Sequence, residues 1–172
     1  MSESIYDIGT MLDELGLTTS AIRWREILDG PELGNFSAQQ LLREILTPQY
    51  TEAMDRRYKT NLKLSKLIDK QALVENLKTS NGRKYNDDIV QQILTFRFVS
   101  KYLNIGIYGI TGAGKSYFMS ALCNEACRQN YRCKMIDYCD LLDELMILAQ
   151  KKELETYSKR LKYYSRIQIL VL

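Results

Sequence analysis

Gly109-Ile110-Thr111-Gly112-Ala113-Gly114-Lys115-Ser116 settles the architecture of this 172-residue chain, because it matches in full the phosphate-binding pattern of glycine, four residues, glycine, lysine and serine. Glycines at 109, 112 and 114 free the backbone to take positive φ and to turn its N–H groups into a concave nest that a β-carbon would obstruct. A helix expected to start at about Lys115 aims its unsatisfied N–H groups and positive dipole end at the same anion, a contribution of about 0.3–2 kcal/mol. Lys115 is then the mobile cation for the β and γ phosphates, and the Ser116 hydroxyl is placed to ligate Mg²⁺. The phosphate set therefore runs through Gly109, Ile110, Thr111, Gly112, Ala113, Gly114, Lys115 and Ser116 to Tyr117.

The flanks agree with the motif. Asn104-Ile105-Gly106-Ile107-Tyr108 reads as a short buried strand running into the loop. After it, Tyr117, Phe118, Ala121, Leu122 and Ala126 form an apolar stripe at helical spacing, with Asn130 where a helix C-terminus closes. Strand, loop and helix is the order that a phosphate loop requires.

Composition bounds the rest. With 45% hydrophobic and 26% charged residues the chain is an ordinary globular protein, long enough for one domain and a smaller companion. No apolar run approaches the roughly 20 residues of a membrane span, and the acidic start Met1-Ser2-Glu3-Ser4 does not resemble a signal peptide, so a cytoplasmic location is expected. Cys123, Cys127, Cys133 and Cys139 occur without any histidine, a pattern that favours buried thiols over a zinc site or disulfides. Charge is divided unevenly. Residues 1–55 carry 3 basic and 10 acidic groups, residues 56–101 carry 11 and 4, and residues 102–172 carry 10 and 7. An acidic module is thus followed by a basic surface suited either to a phosphate backbone or to an acidic protein, unless it is simply a solvated face.

In chain order, Ile5, Ile8, Met11, Leu12 and Leu15 predict an amphipathic helix ended near Gly16. A second helix is expected from Ser20 to the stop at Gly30-Pro31. Ser37 and Gln40 form a capping box for a third. Thr47-Pro48 predicts the start of a separate helical rod over 48 to about 67, with threonine as N-cap and proline at the first position. That rod carries Arg56, Arg57, Lys59, Lys63 and Lys66, the candidate contacts for DNA or an acidic partner. Ser80-Asn81-Gly82-Arg83-Lys84 is a polar turn, which places a boundary between a helical module over 1–80 and an α/β domain over 86–172 and predicts proteolytic cutting near Ser80 to Tyr85. Asn86 or Asp87 caps the next helix, packed by Ile89, Val90, Ile93, Phe96, Phe98 and Val99. Beyond the loop helix, residues 131–136 read as a second strand, Asp137 caps a helix, another helix covers about 155–164, and residues 168–172 read as a third buried strand.

With these pieces in place the sequence resembles the IstB-like transposition helper ATPases, relatives of the DnaC-like helicase loaders. The resemblance is carried by the loop together with Glu125-Ala126-Cys127-Arg128-Gln129-Asn130-Tyr131-Arg132, by Asp140-Leu141-Leu142-Asp143-Glu144-Leu145, and by Asp55-Arg56-Arg57 followed by Asn61-Leu62. It implies a P-loop NTPase core of AAA+ type, an α/β parallel sheet behind an all-α N-terminal module. It also implies ATP and Mg²⁺ as cofactors, a transposase and double-stranded DNA as partners, and a homo-oligomer on DNA. Other readings remain open: a DnaC-like helicase loader, or a non-catalytic interaction fragment with a vestigial ATPase half. The family continues from its third strand into acidic Walker B residues, sensors and an arginine finger, whereas this sequence ends at Leu172. The resemblance therefore implies a truncated core without the fourth strand that lies between the first and third, and no catalytic residues for hydrolysis.

Overall fold

The computed structural model describes residues 7–31, 34, 36–77, 85–151 and 154–172. The chain divides into two compact units, residues 1–57 and 58–172. The polar turn expected at 80–84 lies outside the described residues. Among the described residues no helix is long and apolar enough to cross a membrane.

The first unit is built from α1 (Ile8–Glu14), α2 (Thr18–Asp29) and the N-terminal part of α3 (Ala38–Ser65). Local chemistry sets its boundaries. Asp7 caps α1 by accepting from Thr10 N–H, and Gly16 takes φ 74° just after it, a conformation that a β-carbon would disfavour. The capping box forms in full: Ser37 N–H donates to Gln40 Oε1 at 2.9 Å and Gln40 N–H to Ser37 Oγ at 3.3 Å. Ala21, Ile27 and Ile45 form the small buried centre.

One expectation fails here. Thr47-Pro48 does not start a helix; Pro48 lies inside a single 28-residue α3. The Thr47 hydroxyl donates back to the Arg43 carbonyl at 2.7 Å instead of capping. An interior proline costs about 3 kcal/mol in an isolated helix. Here α2 grips α3 on both sides of it: Arg23 pairs with Glu44 at 3.1 Å, and Thr19 donates its N–H to Gln49 Oε1 at 3.0 Å and its hydroxyl to Glu52. Those cross-helix bonds hold the turns before and after Pro48, so the tertiary contacts override the local signal.

The second unit begins in the last turns of α3, continues through a strap that includes a short 3₁₀ turn (Val74–Asn76), and then runs through α4 (Asp87–Leu94), α5 (Arg97–Ser100), α6 (Lys115–Arg128), β1 (Cys133–Met135), α7 (Tyr138–Gln150), α8 (Leu154–Tyr164) and β2 (Ile169–Val171). Asn86 caps α4 and Asp137 caps α7, as their sequence positions predict. The helix expected through Val99 is interrupted, because buried Phe96 takes the left-handed φ of 53° and separates α4 from α5. Asn130, at φ 65°, closes α6.

Strands β1 and β2 pair in parallel, Cys133 opposite Ile169 and Met135 opposite Val171, with α7 and α8 forming the crossover. The core lies where α6 covers this pair: Leu122, Cys123, Ala126 and Cys127 meet Cys133, Met135 and Ile169, and Phe96 and Leu67 close the sides. The architecture is therefore mostly helical with a two-stranded parallel sheet. The buried strand expected at Asn104–Tyr108 is not formed. That stretch has no ladder partner among the described residues, and Tyr108 is 94% exposed. A groove of about 580 Å³ separates Ile105–Tyr108 from Ile169–Leu172, so no neighbour is within ladder distance to make a strand of it.

Candidate nucleotide-binding site

The loop leaves the extended segment 104–108 and enters α6 directly. Gly112 and Gly114 take φ values of 78° and 93°, which glycine adopts without strain. Gly109 does not have positive φ, so the expectation of three such glycines holds for two. A β-carbon at Gly109 would meet only ordinary van der Waals neighbours, the nearest being Ala113 Cβ at 3.6 Å. At Gly112 the direction a β-carbon would take is open, which leaves the backbone approachable there.

Gly114 is the N-cap of α6, and no side chain caps the helix. The first turn, Lys115, Ser116 and Tyr117, therefore presents backbone N–H groups and the positive end of a 14-residue helix dipole without a side-chain acceptor. Lys115 folds back over the loop, its Nζ donating to the carbonyls of Gly109 at 2.8 Å and Ile110 at 2.9 Å. A cation held over the loop, beside a helix N-terminus without a side-chain cap, suits an anion bound by charge-assisted hydrogen bonds. Ser116 is exposed on the first turn of α6. Tyr117 is turned elsewhere: its Oη accepts from Leu73 N–H at 3.4 Å.

Beside Gly114 and Lys115 opens a cavity of about 410 Å³ walled by Tyr85, Ile89, Val90, Ile93, Ile105 and Phe118. Tyr85 and Phe118 stack within it, with ring centroids 6.1 Å apart and planes inclined by 18°. Apolar walls next to a polar phosphate cradle suit a flat heteroaromatic ring joined to an anion. Sequence reasoning does not reach this cavity, since its walls come from α4, the segment before the loop and α6, which the fold alone brings together.

The basic residues occupy exposed positions on α3 and just beyond it. Arg56 pairs with Glu52 at 2.7 Å; Arg57, Lys59 and Lys63 are exposed, and Lys66 follows the helix in the left-handed conformation. In the second unit Tyr58 and Leu62 pack against the core, while Leu64 is exposed. Three of the four cysteines, Cys123, Cys127 and Cys133, are buried together and Cys139 is exposed. The Cys123 and Cys127 thiols beside Cys133, together with burial, push the Cys133 thiol far above its ordinary range, so it stays protonated.

Sequence reasoning also misses Asn124. It is 2% exposed, lies among apolar neighbours on α6, and makes three hydrogen bonds to the strap and to α3. The available signal is the polar series Tyr117, Ser120, Asn124 and Arg128, which recurs at helical spacing beside the apolar stripe.

Comparison with known proteins agrees with this geometry. Residues 10–172 match the family model described as IstB-like ATP binding protein. An insertion sequence ATP-binding protein assigned in Sinorhizobium fredii, y4uH, is 28% identical over 94% of this chain and 64% of its own length. One assigned to insertion sequence IS5376 of Geobacillus stearothermophilus is 25% identical over 92% of the chain and 61% of its own length. A third, of insertion sequence IS1162 from Pseudomonas fluorescens, is 26% identical over 69% of the chain and half of its own length. The chain thus spans less than two thirds of the curated relatives it matches. With the family match covering the loop, the helix behind it and both paired strands, this chain belongs to the family of IstB-like ATP binding proteins.

Proposed function

We propose that the chain binds ATP with Mg²⁺ and serves as the nucleotide-responsive helper of an insertion-sequence transposase on DNA. The observation that carries the reading is the loop itself: two positive-φ glycines, an α6 N-terminus without a side-chain cap, and Lys115 held across the loop carbonyls. The triphosphate lies along Gly109–Ser116 with Lys115 on the β and γ phosphates, and the Ser116 hydroxyl takes one position on the metal. The cavity walled by Tyr85, Ile89 and Phe118, which is also lined by Gly114, takes the base. Lys59, Lys63 and Lys66, preceded on α3 by Arg56 and Arg57, meet DNA phosphates, a contact that carries little sequence information. The relatives named as insertion sequence ATP-binding proteins support a transposase as partner.

Turnover is a separate matter. Hydrolysis requires a metal held by carboxylate as well as hydroxyl, and a positioned water. Among the described residues, those lining the cavity beside the loop include no aspartate or glutamate. These residues bind and orient a nucleotide, and we expect binding without appreciable hydrolysis by the chain of 172 residues. Thermal unfolding with and without MgATP tests the reading: the wild-type protein is stabilised, and Lys115→Ala abolishes the shift. A shift of equal size in both proteins would remove the loop from the argument.

A further inference from the structure

One face of α6 is a polar ladder directed at the strap that joins α3 to the rest of the second unit. Tyr117, Ser120, Asn124 and Arg128 recur at intervals of three and four, which aligns them on one side of the helix. Each rung engages the strap. Leu73 N–H donates to Tyr117 Oη at 3.4 Å, and Asp69 N–H donates to Ser120 Oγ at 3.4 Å. Asn124 Nδ2 donates to the carbonyls of Lys70 at 3.2 Å and Ala72 at 3.0 Å. Arg128 pairs with Glu75 at 3.1 Å.

Asn124 is the central rung, and its side-chain amide is used on both sides. Its two donors go to the strap, and its Oδ1 accepts from Tyr58 Oη at 2.8 Å. The residue is almost fully buried, as is Ser120. Ala72 is fully buried and lies outside helix and sheet, so its carbonyl needs such a donor. The amide therefore ties two chain segments, the last turns of α3 and the strap, to one point on α6, the helix whose first residues are Lys115 and Ser116.

We propose that Asn124 is a positioning residue for the nucleotide site, fixing the axial and rotational setting of α6 so that its first-turn N–H groups, Lys115 and Ser116 face the phosphates together. It does not touch the nucleotide. It stands nine residues along α6 from Lys115, about 13 Å at 1.5 Å per residue, and a rigid helix carries its setting to the N-terminus. Phosphate recognition by a nest tolerates only about 0.5 Å of misplacement, so a helix released from its strap loses affinity before it loses its fold. The proposal rests on the loop being a nucleotide site. Linkage adds a reciprocal expectation: nucleotide that selects one setting of α6 quiets the strap bonded to it.

The test uses the full chain with MgATP and the variants Asn124→Ala and Tyr58→Phe. Calorimetric titration gives affinity, thermal unfolding gives stability, and amide hydrogen exchange follows residues 69–73. Both variants are expected to melt cooperatively and to bind MgATP more weakly, Asn124→Ala by about tenfold or more and Tyr58→Phe by about threefold to tenfold. Nucleotide slows exchange in the strap of the wild type and fails to do so in Asn124→Ala. A purely structural role predicts otherwise: lower melting temperatures with unchanged affinity and unchanged nucleotide-induced shifts, which would overturn the proposal. If Asn124→Ala does not fold, Tyr58→Phe decides by the same criterion, because it keeps the ring and removes only the hydroxyl. A wild type that shows no response to MgATP removes the nucleotide reading itself, whereas a wild-type response that both variants retain in full defeats only the positioning role.

Discussion

Lys115 donates to two carbonyls of its own loop, so phosphate must compete with hydrogen bonds that the ligand-free site already makes. The net gain comes from exchanging neutral acceptors for charged ones, each charge-assisted bond being worth about 1.5–3 kcal/mol. Lys115→Ala should therefore weaken MgATP binding by at least about tenfold with little change in the melting temperature of the ligand-free protein, read by calorimetry and thermal unfolding. Elsewhere single residues act through burial. The Ser20 hydroxyl is fully buried and, among the described residues, has no hydrogen-bond partner. An unsatisfied hydroxyl costs about 1–3 kcal/mol, so Ser20→Ala should raise stability to denaturant by about 1 kcal/mol; a loss of that size would show a partner for the hydroxyl. Cysteine reactivity follows the same logic. Iodoacetamide should modify exposed Cys139 in the native protein and reach Cys123, Cys127 and Cys133 only on unfolding, since burial and thiol neighbours keep Cys133 protonated. Native labelling at Cys133, read by peptide mass spectrometry, would contradict the packing of α6 on β1.

At the scale of elements, what the sequence makes legible is local chemistry. Ser37 with Gln40, Asn86, Asp137, Gly16 and Asn130 mark helix ends because the groups that satisfy or permit those ends lie within a turn of them. Asn104–Tyr108 misleads for the opposite reason. A strand exists only through its neighbour, and no spacing within five residues reveals that a groove lies beside them. Pro48 misleads because the bonds that support the helix around it come from Arg23 and Thr19 on another element. The role of Asn124 is illegible in sequence since its partners are 52, 54 and 66 positions away. The α2–α3 clamp also yields a pH dependence. The Thr19 hydroxyl, and then Arg56, hold the Glu52 carboxyl below its ordinary value of 4.5. A carboxylate whose folded-state value is depressed stabilises above the unfolded value and loses that contribution as pH falls through the folded one. Wild type should thus lose its advantage over Glu52→Gln on acidification below about pH 4.5, seen as melting temperatures that converge in circular dichroism scans from about pH 7 to about pH 3; a gap that stays constant would mean that Glu52 contributes no ionised-state stability.

On the scale of the whole molecule, the chain divides between Arg57 and Tyr58. The loop, the base cavity, the α6 ladder and the core cluster all draw on residues from Tyr58 onward. The first unit has its own buried centre in Ala21, Ile27 and Ile45 and its own ion pairs, Arg25 with Asp13 and Arg23 with Glu44. Its acidic composition contrasts with the basic stretch that follows. Nucleotide recognition should therefore belong to the second unit alone. A protein comprising residues 58–172 keeps Tyr58, Leu62 and Leu67 to dock the remaining turns of α3 on the core, and it keeps every rung of the ladder. It should unfold cooperatively and bind MgATP within about threefold of the full chain, a difference under about 0.7 kcal/mol. Eight residues of helix are too few to persist alone in water, so survival of this fragment depends on tertiary docking through Tyr58 and Asn124 rather than on helix propensity. Failure to bind by a fragment that still melts cooperatively would show that residues 1–57 supply part of the nucleotide site. Equal binding by fragment and full chain, lost in both on Lys115→Ala, would confine that site to α6, its loop and the cavity beside them.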